Sequence, residues 1–341
     1  MTDDSRLAAA HHWATRVLGQ PVPPPEPVSG DASFRRYLRV HAPAGTCILM
    51  DAPPDKEDCH PFVAIARHWH GAGIPVPRVL DWDREQGFML LEDFGNETFA
   101  RAVGTAVPDA NQAEAARRFY EPALDILLRI QQQTSPPDYP LPPFDAGRVR
   151  DEISLFTDWL MTRKLKLTPD ARTQRQLRDV FRKLEQVFLG QPQVTVHRDY
   201  HSRNLMLRDP LPGVLDFQDA VTGPVTYDLV SLLRDCYIRW PEDWVTARAD
   251  EVYDLLSRKH RPASRETFHR DLDWTGIQRH LKAAGIFARL ALRDHKPRYL
   301  NDIPRTLSYI VSVGERHPEL APLVRWVRDH VLPAIEETLA A

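Results

Sequence analysis

The sequence predicts an α+β protein with a small, strand-rich N-terminal lobe and a larger, mainly helical C-terminal lobe. A chain of 341 residues is longer than one typical domain of about 100–200 residues and favours two. Up to Gly95 the apolar residues fall in short or alternating runs, which are typical of strands. Beyond Gly95 they recur every three or four residues over long segments, as in helices. We therefore expect a division into residues 1–95 and 96–341.

The N-terminal lobe is predicted to open with a helix and to continue as strands around one further helix. Leu7, Trp13 and Val17 share a helical face, and the prolines from Pro21 onward cannot continue that helix. Gly71 follows the second helix and ends it. In chain order the predicted elements are a helix around 7–17, a turn at 29–34, strands at 34–40 and 47–50, a helix at 61–69, and strands at 76–82 and 88–91.

The C-terminal lobe is predicted to be helical, with short apolar strands near its middle. The spacing of the apolar residues predicts helices over 113–132, 149–161 and 171–188. Short apolar runs predict strands at 194–196, 205–207 and 214–215. Beyond Asp228 the pattern is helical again almost to the end of the sequence.

The composition excludes several classes of function. The 44 basic and 47 acidic residues give a formal net charge of −3, whereas nucleic-acid-binding proteins are usually basic. No apolar run approaches the roughly 18 residues of a membrane span, and the acidic start of the chain is unlike a signal peptide. The three cysteines are scattered and lack metal-ligand spacing. We expect a cytoplasmic protein that binds neither nucleic acid nor membrane and shows no obligate protein partner.

Three polar residues follow short apolar strands in the middle of the chain. Asp199 lies in Val196-His-Arg-Asp-Tyr-His-Ser-Arg-Asn204, and Asp216 lies in Gly213-Val-Leu-Asp-Phe-Gln218. Loops at strand ends are where a rigid scaffold presents catalytic groups. Phosphoryl transfer needs a carboxylate that accepts the proton of the attacking hydroxyl and oxygen ligands for Mg²⁺. Asp199, Asn204 and Asp216 together supply that set.

These motifs resemble a known family. His197-Arg-Asp199 with Asn204, and Asp216-Phe-Gln218, resemble the catalytic loop and metal-binding motif of protein kinases and aminoglycoside phosphotransferases. A glutamine stands where protein kinases have the glycine of Asp-Phe-Gly. Further segments resemble the bacterial kinases that phosphorylate the anomeric hydroxyl of N-acetylmuramate and N-acetylglucosamine in peptidoglycan recycling: 29–39, 50–63, 213–228, 276–290 and 296–300.

The resemblance implies a protein-kinase-like bilobal fold, ATP, Mg²⁺ and a small-molecule sugar substrate. It makes residues 1–95 the nucleotide-binding lobe and residues 96–341 the catalytic and substrate-binding lobe. By the same resemblance Asp199 is the catalytic base, and Asn204 and Asp216 hold Mg²⁺. The residues implied to bind the nucleotide are Ser29, Gly30, Asp31, Ala32, Ser33, Glu92 and Phe94.

One departure from the kinase pattern concerns the lysine on the third strand. Kinases pair that lysine with the phosphates and with a helix glutamate, but residues 47–51, Cys-Ile-Leu-Met-Asp, contain no lysine. Arg35, Arg36 and Lys56 are the nearby cations, and Glu57 is a candidate acidic partner. We expect an arginine from the phosphate-loop strand, Arg35, to substitute, because arginine can hold a phosphate bidentately.

The substrate side is indicated by charge. Residues 276–300 contain six Lys/Arg and one acid, which suits an acceptor that carries a carboxylate, such as N-acetylmuramate. The residues singled out are Arg279, His280 and Lys282, with Arg203 in the catalytic loop and Glu152 on a helix as further candidates. The alternative is that the basic residues form a solvated helix face.

Three other interpretations stay open at this stage. His197, Asp199 and His201 alternate and could bind Zn²⁺ in a metal hydrolase. The missing lysine is compatible with a nucleotide-binding module without catalysis. A kinase of another small alcohol, amino sugar or aminoglycoside would retain the same phosphoryl-transfer residues.

Overall fold

The structure, a computed structural model, describes residues 3–30, 34–104 and 109–340. Its first elements are α1 (Asp3–Leu18), β1 (Glu26–Gly30), β2 (Arg36–Ala42), β3 (Gly45–Asp51), α2 (His60–Gly71), β4 (Val79–Asp83), β5 (Phe88–Glu92), α3 (Phe99–Val103) and α4 (Ala110–Gln131). There follow α5 (Ala146–Leu155), a π-helix (Phe156–Lys164), α6 (Ala171–Leu189), β6 (Gln193–Val196), β7 (Leu205–Met206), β8 (Gly213–Val214), β9 (Val221–Pro224) and α7 (Tyr227–Leu233). The last are α8 (Glu242–Leu255), α9 (Arg265–Arg293), a 3₁₀ helix (Pro297–Asp302), α10 (Ile303–Gly314), a 3₁₀ helix (Pro318–Leu320), α11 (Ala321–Trp326), a π-helix (Val327–Val331) and α12 (Leu332–Ala340).

The chain divides into two compact units. The first unit comprises Met1–Glu97, Ser135–Pro140 and Leu205–Asp219. The second unit comprises Thr98–Thr134, Leu141–Asn204 and Ala220–Ala341. The boundary expected after residue 95 stays a prediction, and the first unit takes in two later segments of the chain.

The first unit is built on a five-stranded antiparallel sheet in the order β1-β2-β3-β5-β4. Alternate residues of β2 point to one face, so Leu38 and Val40 are buried while their neighbours are not. Trp13 of α1 packs into the same core. The strands β7 and β8 form a separate antiparallel pair. The strand-rich character predicted for this part of the chain is therefore present.

The second unit is mainly helical, with β6 and β9 as a two-stranded sheet. Several of its helices begin after a residue whose side chain accepts the N–H of the third helical residue, which satisfies a donor that has no partner within the helix. Asp109, Asp145, Asp170 and Ser264 occupy these positions. The helix α9 runs for 29 residues and packs against α5, α6, α7 and α10.

Three departures from the predicted elements have a physical cause. Ser29 and Gly30 belong to β1, not to a turn, because their backbone pairs with β2. The helix expected over 149–161 changes to a π-helix at Phe156, opposite Gly285 of α9. A Cβ at Gly285 would lie 2.3 Å from the carbonyl carbon of Leu155, so the two helices meet backbone to backbone. The strand β9 was not predicted, since Val221-Thr-Gly-Pro is short and ends in helix-breaking residues.

The cysteines and the membrane expectation can also be examined. Cys47, Cys59 and Cys236 are buried free thiols. No helix in the described ranges has both the length and the apolar character that a membrane crossing would require.

Candidate active site

One buried carboxylate holds the loop that follows β6 in place through hydrogen bonds. Asp228, at the start of α7, accepts the backbone N–H of His197 at 2.6 Å and that of Arg198 at 3.0 Å. His197 Nδ1 accepts the N–H of Asp199 at 3.2 Å. Arg198 adopts φ = 78°, a left-handed backbone conformation that residues other than glycine seldom adopt. These hydrogen bonds hold a sharp turn of the chain at Arg198 and leave Asp199 partly buried at the bend.

The rest of the loop is closed by its own backbone. Asn204 Nδ2 donates to the carbonyl of Asp199 at 3.0 Å, and the Asn204 N–H donates to the carbonyl of His201 at 2.9 Å. Buried Asp235 accepts the N–H of Ser202 at 2.9 Å. The structure therefore holds Asp199 and Asn204, which the sequence singled out, in one compact loop of the second unit.

Cations surround the carboxylate of Asp199. Lys282 Nζ of α9 lies 3.9 Å from Asp199 Oδ1 and is itself buried. Burial opposes the charged form, but Lys282, then His201 and Arg279, hold the pKa of Asp199 below its usual range. Burial lowers the pKa of His201 to about 4. Asp199 is consequently ionised at neutral pH, beside an imidazole that is neutral there.

Glu152 of α5 lies at the centre of a buried network. Its Oε1 accepts from Arg198 Nη2 at 2.8 Å and faces Lys282 Nζ at 3.3 Å. Its Oε2 accepts from Gln278 Nε2 at 3.0 Å and from the hydroxyl of Tyr227 at 3.4 Å. A carboxylate has about four acceptor positions, and here four donors face it. Glu152 was a candidate for the substrate side, and that role stays a prediction; in the structure its carboxylate is engaged with Arg198 and Lys282.

The basic residues of α9 lie inside the fold. Arg279, His280 and Lys282 are between 1% and 6% exposed, which rules out the solvated helix face considered above for these three. His280 Nε2 is hydrogen-bonded to the carbonyl of Arg234 at 2.9 Å, and its ring stacks on Tyr309. Burial lowers the pKa of His280 to about 3. Its ring is thus neutral and engaged in the core.

Arg279 is a buried guanidinium with few partners. Its Nη1 makes a weak contact with Cys236 Sγ at 3.9 Å, and its Nε has no partner among the described residues. Lys282, in contrast, donates to the hydroxyl of Tyr227 at 3.1 Å and faces both Glu152 and Asp199. Of the two α9 cations, Arg279 therefore has donors to spare.

Arg203 occupies the outer part of the catalytic loop. Its guanidinium lies 3.5 Å from the ring centre of Tyr237 and 5.9 Å from that of Tyr299. Its side chain is 39% exposed, and Asp302 Oδ2 stands 3.7 Å from its Nη2. Arg203 is thus an accessible cation supported by aromatic rings.

Asp216 follows β8 in the first unit and has the backbone strain typical of functional positions. Its φ is 63°, and Gln218 Nε2 donates to its Oδ1 at 2.7 Å. Arg35 forms an ion pair with Glu57 at 3.2 Å, the partner expected for a substitute of the missing lysine. Although burial opposes it, Tyr37, Glu57 and Asp216 raise the pKa of Arg35.

The remaining nucleotide candidates also belong to the first unit. Asp31, Ala32 and Ser33 lie outside the described residues. Glu92 ends β5, where its carboxylate meets Arg208 at 3.1 Å and Arg78 at 3.2 Å. The ring of Phe94 lies 3.9 Å from the Arg208 guanidinium. Both Glu92 and Phe94 are therefore engaged with Arg208.

Sequence reasoning missed three members of the Glu152 network, Arg198, Tyr227 and Gln278. Arg198 was quoted within the motif but given no role, although an arginine beside a catalytic aspartate is a signal that could have been used. Tyr227 directly precedes Asp228, the residue whose carboxylate accepts two N–H groups of the loop. The zinc interpretation gains no support, because among the described residues no three His, Cys, Asp or Glu side chains lie close enough to hold a metal ion.

Comparison with known proteins places these features in a family. Residues 25–266 match the phosphotransferase enzyme family. The chain is 42% identical over 335 residues to an N-acetylmuramate/N-acetylglucosamine kinase of Pseudomonas aeruginosa, with 95% of this chain and 96% of that protein covered. It is 44% identical over 297 residues to the protein of that name in Pseudomonas putida, with 86% and 85% covered.

Solved structures share the fold at low sequence identity. A choline kinase from Streptococcus pneumoniae superposes with a TM-score of 0.61 at 12% identity, covering 89% of this chain and 98% of the other. The aminoglycoside phosphotransferase APH(4)-Ia gives 0.55 at 14% identity, covering 90% and 99%. These likenesses confirm the predicted α+β, kinase-like fold class, and the relatives confirm that the chain is an enzyme of the kinase type. The chain belongs to the phosphotransferase enzyme family.

Proposed function

We propose that the chain transfers the γ-phosphoryl group of ATP to the anomeric hydroxyl of N-acetylmuramate and N-acetylglucosamine, in the recycling of cell-wall sugars. The single observation that carries the proposal is an ionised, partly buried carboxylate, Asp199, held on a hydrogen-bonded loop and faced by Lys282 at 3.9 Å. The 42% identity to a kinase named for these two sugars, over 95% of the chain, supports the choice of acceptor.

Asp199 would act as the base for the acceptor hydroxyl. A positioned carboxylate accepts the proton as the oxygen attacks phosphorus, and it orients the lone pair beforehand. That orientation is fixed by the N–H groups of His197 and Arg198, which donate to Asp228, and by Asn204 Nδ2, which donates to the Asp199 carbonyl. Lys282 and Arg198, which are tied to Glu152, would stabilise the negative charge that Asp199 carries before the transfer.

The donor set suits Mg²⁺, which takes oxygen ligands and keeps several waters. Asn204 presents an amide whose nitrogen is engaged with the Asp199 carbonyl, so its oxygen is the atom suited to a hard cation. Asp216 offers a carboxylate on a strained backbone. We propose that Asn204 and Asp216 hold the ion, which when bound would neutralise phosphate charge.

Nucleotide binding is assigned to the first unit in this proposal. Proteins of the same fold have been solved with AMP and ADP, which supports nucleotide use. Residues 29–33 would cover the phosphates, Arg35 with Glu57 would replace the lysine–glutamate pair, and the backbone near Glu92 and Phe94 would meet the base.

The test is a panel of acceptors incubated with ATP and Mg²⁺, followed by ³¹P NMR of the products. The panel contains both sugars, 1-O-methyl N-acetylglucosamine, choline and an aminoglycoside. A product phosphate coupled to the anomeric proton, and no product from the 1-O-methyl sugar, are expected. Phosphorylation of choline or the aminoglycoside in preference to the sugars would reject the proposed acceptor and favour the other kinase class.

A further inference from the structure

Arg203 presents hydrogen-bond donors that the described part of the chain does not use. Its closest carboxylate oxygen, on Asp302, is 3.7 Å away, which is too long for a hydrogen bond. Its guanidinium carbon lies 3.5 Å from the ring centre of Tyr237, a stacking distance, and 5.9 Å from that of Tyr299. The N–H groups lie in the guanidinium plane, so stacking leaves them available. A ligand carboxylate could therefore bind without breaking any described hydrogen bond of Arg203.

The position of Arg203 relative to the base follows from the loop. Arg203 lies four positions after Asp199, a span of at most about 14 Å when extended. The hydrogen bond from Asn204 Nδ2 to the Asp199 carbonyl at 3.0 Å makes the actual span much shorter. An arginine side chain is long enough to bridge this span. Arg203 and Asp199 thus belong to the same closed loop, within reach of one sugar-sized ligand.

The two proposed acceptors differ by one charged group, the lactyl carboxylate of N-acetylmuramate. In an enzyme that accepts both sugars, a cation that binds this group must also remain stable when the group is absent. A half-exposed arginine is hydrated by solvent in the second case, whereas a buried cation would lose its counter-charge at high cost. The exposed fraction of each side chain therefore indicates which cation is suited to bind the lactyl carboxylate.

The other cations near the loop meet this requirement less well. Lys282 is committed to Glu152, Asp199 and Tyr227. Arg279 is 5% exposed, so solvent could not hydrate it in place of an absent carboxylate. We had expected a cation within residues 279–282 to bind the carboxylate. Because these residues are buried, Arg203 is the better candidate.

We propose that Arg203 binds the lactyl carboxylate of N-acetylmuramate and thereby sets the preference between the two sugars. The inference rests on the proposed function. Arginine and carboxylate can form two parallel hydrogen bonds. Burial raises the pKa of Tyr237, so this ring stays neutral beneath the guanidinium and adds no competing charge.

The experiment compares kcat/KM for three acceptors: N-acetylmuramate, its neutral lactyl amide, and N-acetylglucosamine. Arg203→Gln is expected to lower kcat/KM for N-acetylmuramate by about 10- to 100-fold, the range for a charge-assisted hydrogen bond. The values for the amide and for N-acetylglucosamine are expected to change less than about threefold. Arg203→Lys keeps the charge but not the paired geometry and is expected to fall between.

Arg163→Gln is the matched control. Arg163 also stacks on an aromatic ring, with its guanidinium 4.1 Å from the ring centre of Trp159, and it is exposed. Its substitution is expected to leave all three values unchanged.

The outcomes separate the inference from the proposed function. Equal losses for both sugars in Arg203→Gln would overturn the inference, because Arg203 would then serve the loop or the phosphoryl group. Unchanged values for N-acetylmuramate would overturn it as well. If the wild-type chain phosphorylated neither sugar, the proposed function itself would fail, before any variant was compared.

Discussion

Replacing Glu152 with glutamine tests whether this buried carboxylate positions cations or binds substrate. The side chain is 8% exposed and faces four donors, two of them the charged groups of Arg198 and Lys282. Glutamine keeps the shape but brings an NH₂ group against these donors and removes the negative charge. Removing one partner of a buried ion pair costs about 3–5 kcal/mol. Because glutamine still offers one acceptor oxygen, we expect the lower end, about 3 kcal/mol.

That loss can be measured as a melting temperature and as a change in kinetics. A chain of this length has an unfolding entropy of about 0.7 kcal/mol/K, so about 3 kcal/mol corresponds to a Tm about 4 °C lower. Lys282 and Arg198 would lose the carboxylate that orients them beside Asp199, so kcat is expected to fall while KM for the sugar changes little.

A surface glutamate provides the control. Glu185 pairs with Arg150 at 3.1 Å, and Arg150 is 63% exposed. Such pairs contribute about 0–1 kcal/mol, so Glu185→Gln should shift Tm by about 1 °C or less. An unchanged Tm in Glu152→Gln together with a raised sugar KM would refute the reasoning and make Glu152 a substrate ligand.

The pH dependence supplies a second check on the same residue. Burial opposes its charge, but Lys282 and Arg198 lower the pKa of Glu152 from 4.5. A carboxylate whose pKa is lower in the folded than in the unfolded state stabilises the fold above the unfolded pKa, and that stabilisation is lost as the pH falls. The difference in Tm between wild type and Glu152→Gln should therefore narrow below about pH 4.5, and a constant difference would contradict the assignment.

Three further predictions follow from the site and from the helix contact. Asp199→Asn should lower kcat by about 10²–10⁴-fold with calorimetric ATP affinity retained; full activity would require another base. Asp216→Ala should raise the Mg²⁺ concentration needed for half-maximal rate, and Asn204→Ala should raise it less because its ligand is neutral; overlapping Mg²⁺ titrations would remove both from the metal site. Gly285→Ala should destabilise by at least about 1–3 kcal/mol in urea unfolding, whereas Gly71→Ala, with open space around it, should not; equal midpoints would contradict the close helix contact.

The features that depend on local sequence could be predicted. Apolar residues alternate in β2 and recur every three or four positions in α1 and α6. These periods predicted the bounds of the three elements to within a few residues. Asp199 and Asn204 lie in one contiguous motif. Their roles stay predictions, but the structure places them in one hydrogen-bonded loop.

The features that depend on tertiary packing could not be predicted. Glu152 and Lys282 are 130 positions apart, and nothing in either neighbourhood indicates that they share a buried network. The change to a π-helix at Phe156 arises opposite Gly285 on another helix. A prediction from apolar spacing assumes 3.6 residues per turn throughout, so it continued the α-helix past Phe156.

The first unit is assembled from separate segments of the chain, and this affects both its folding and the outcome of proteolysis. The pair β7–β8 is encoded more than 100 positions after β5, and a side chain at Gly213 would collide with the ring of Phe94, 2.3 Å away. A fragment that ends at Glu97 would lack this packing partner for Phe94. Pieces that separate the segment up to Glu97 from Leu205–Asp219 should therefore stay associated through this packing, and formation of the small unit must await synthesis of Leu205–Asp219.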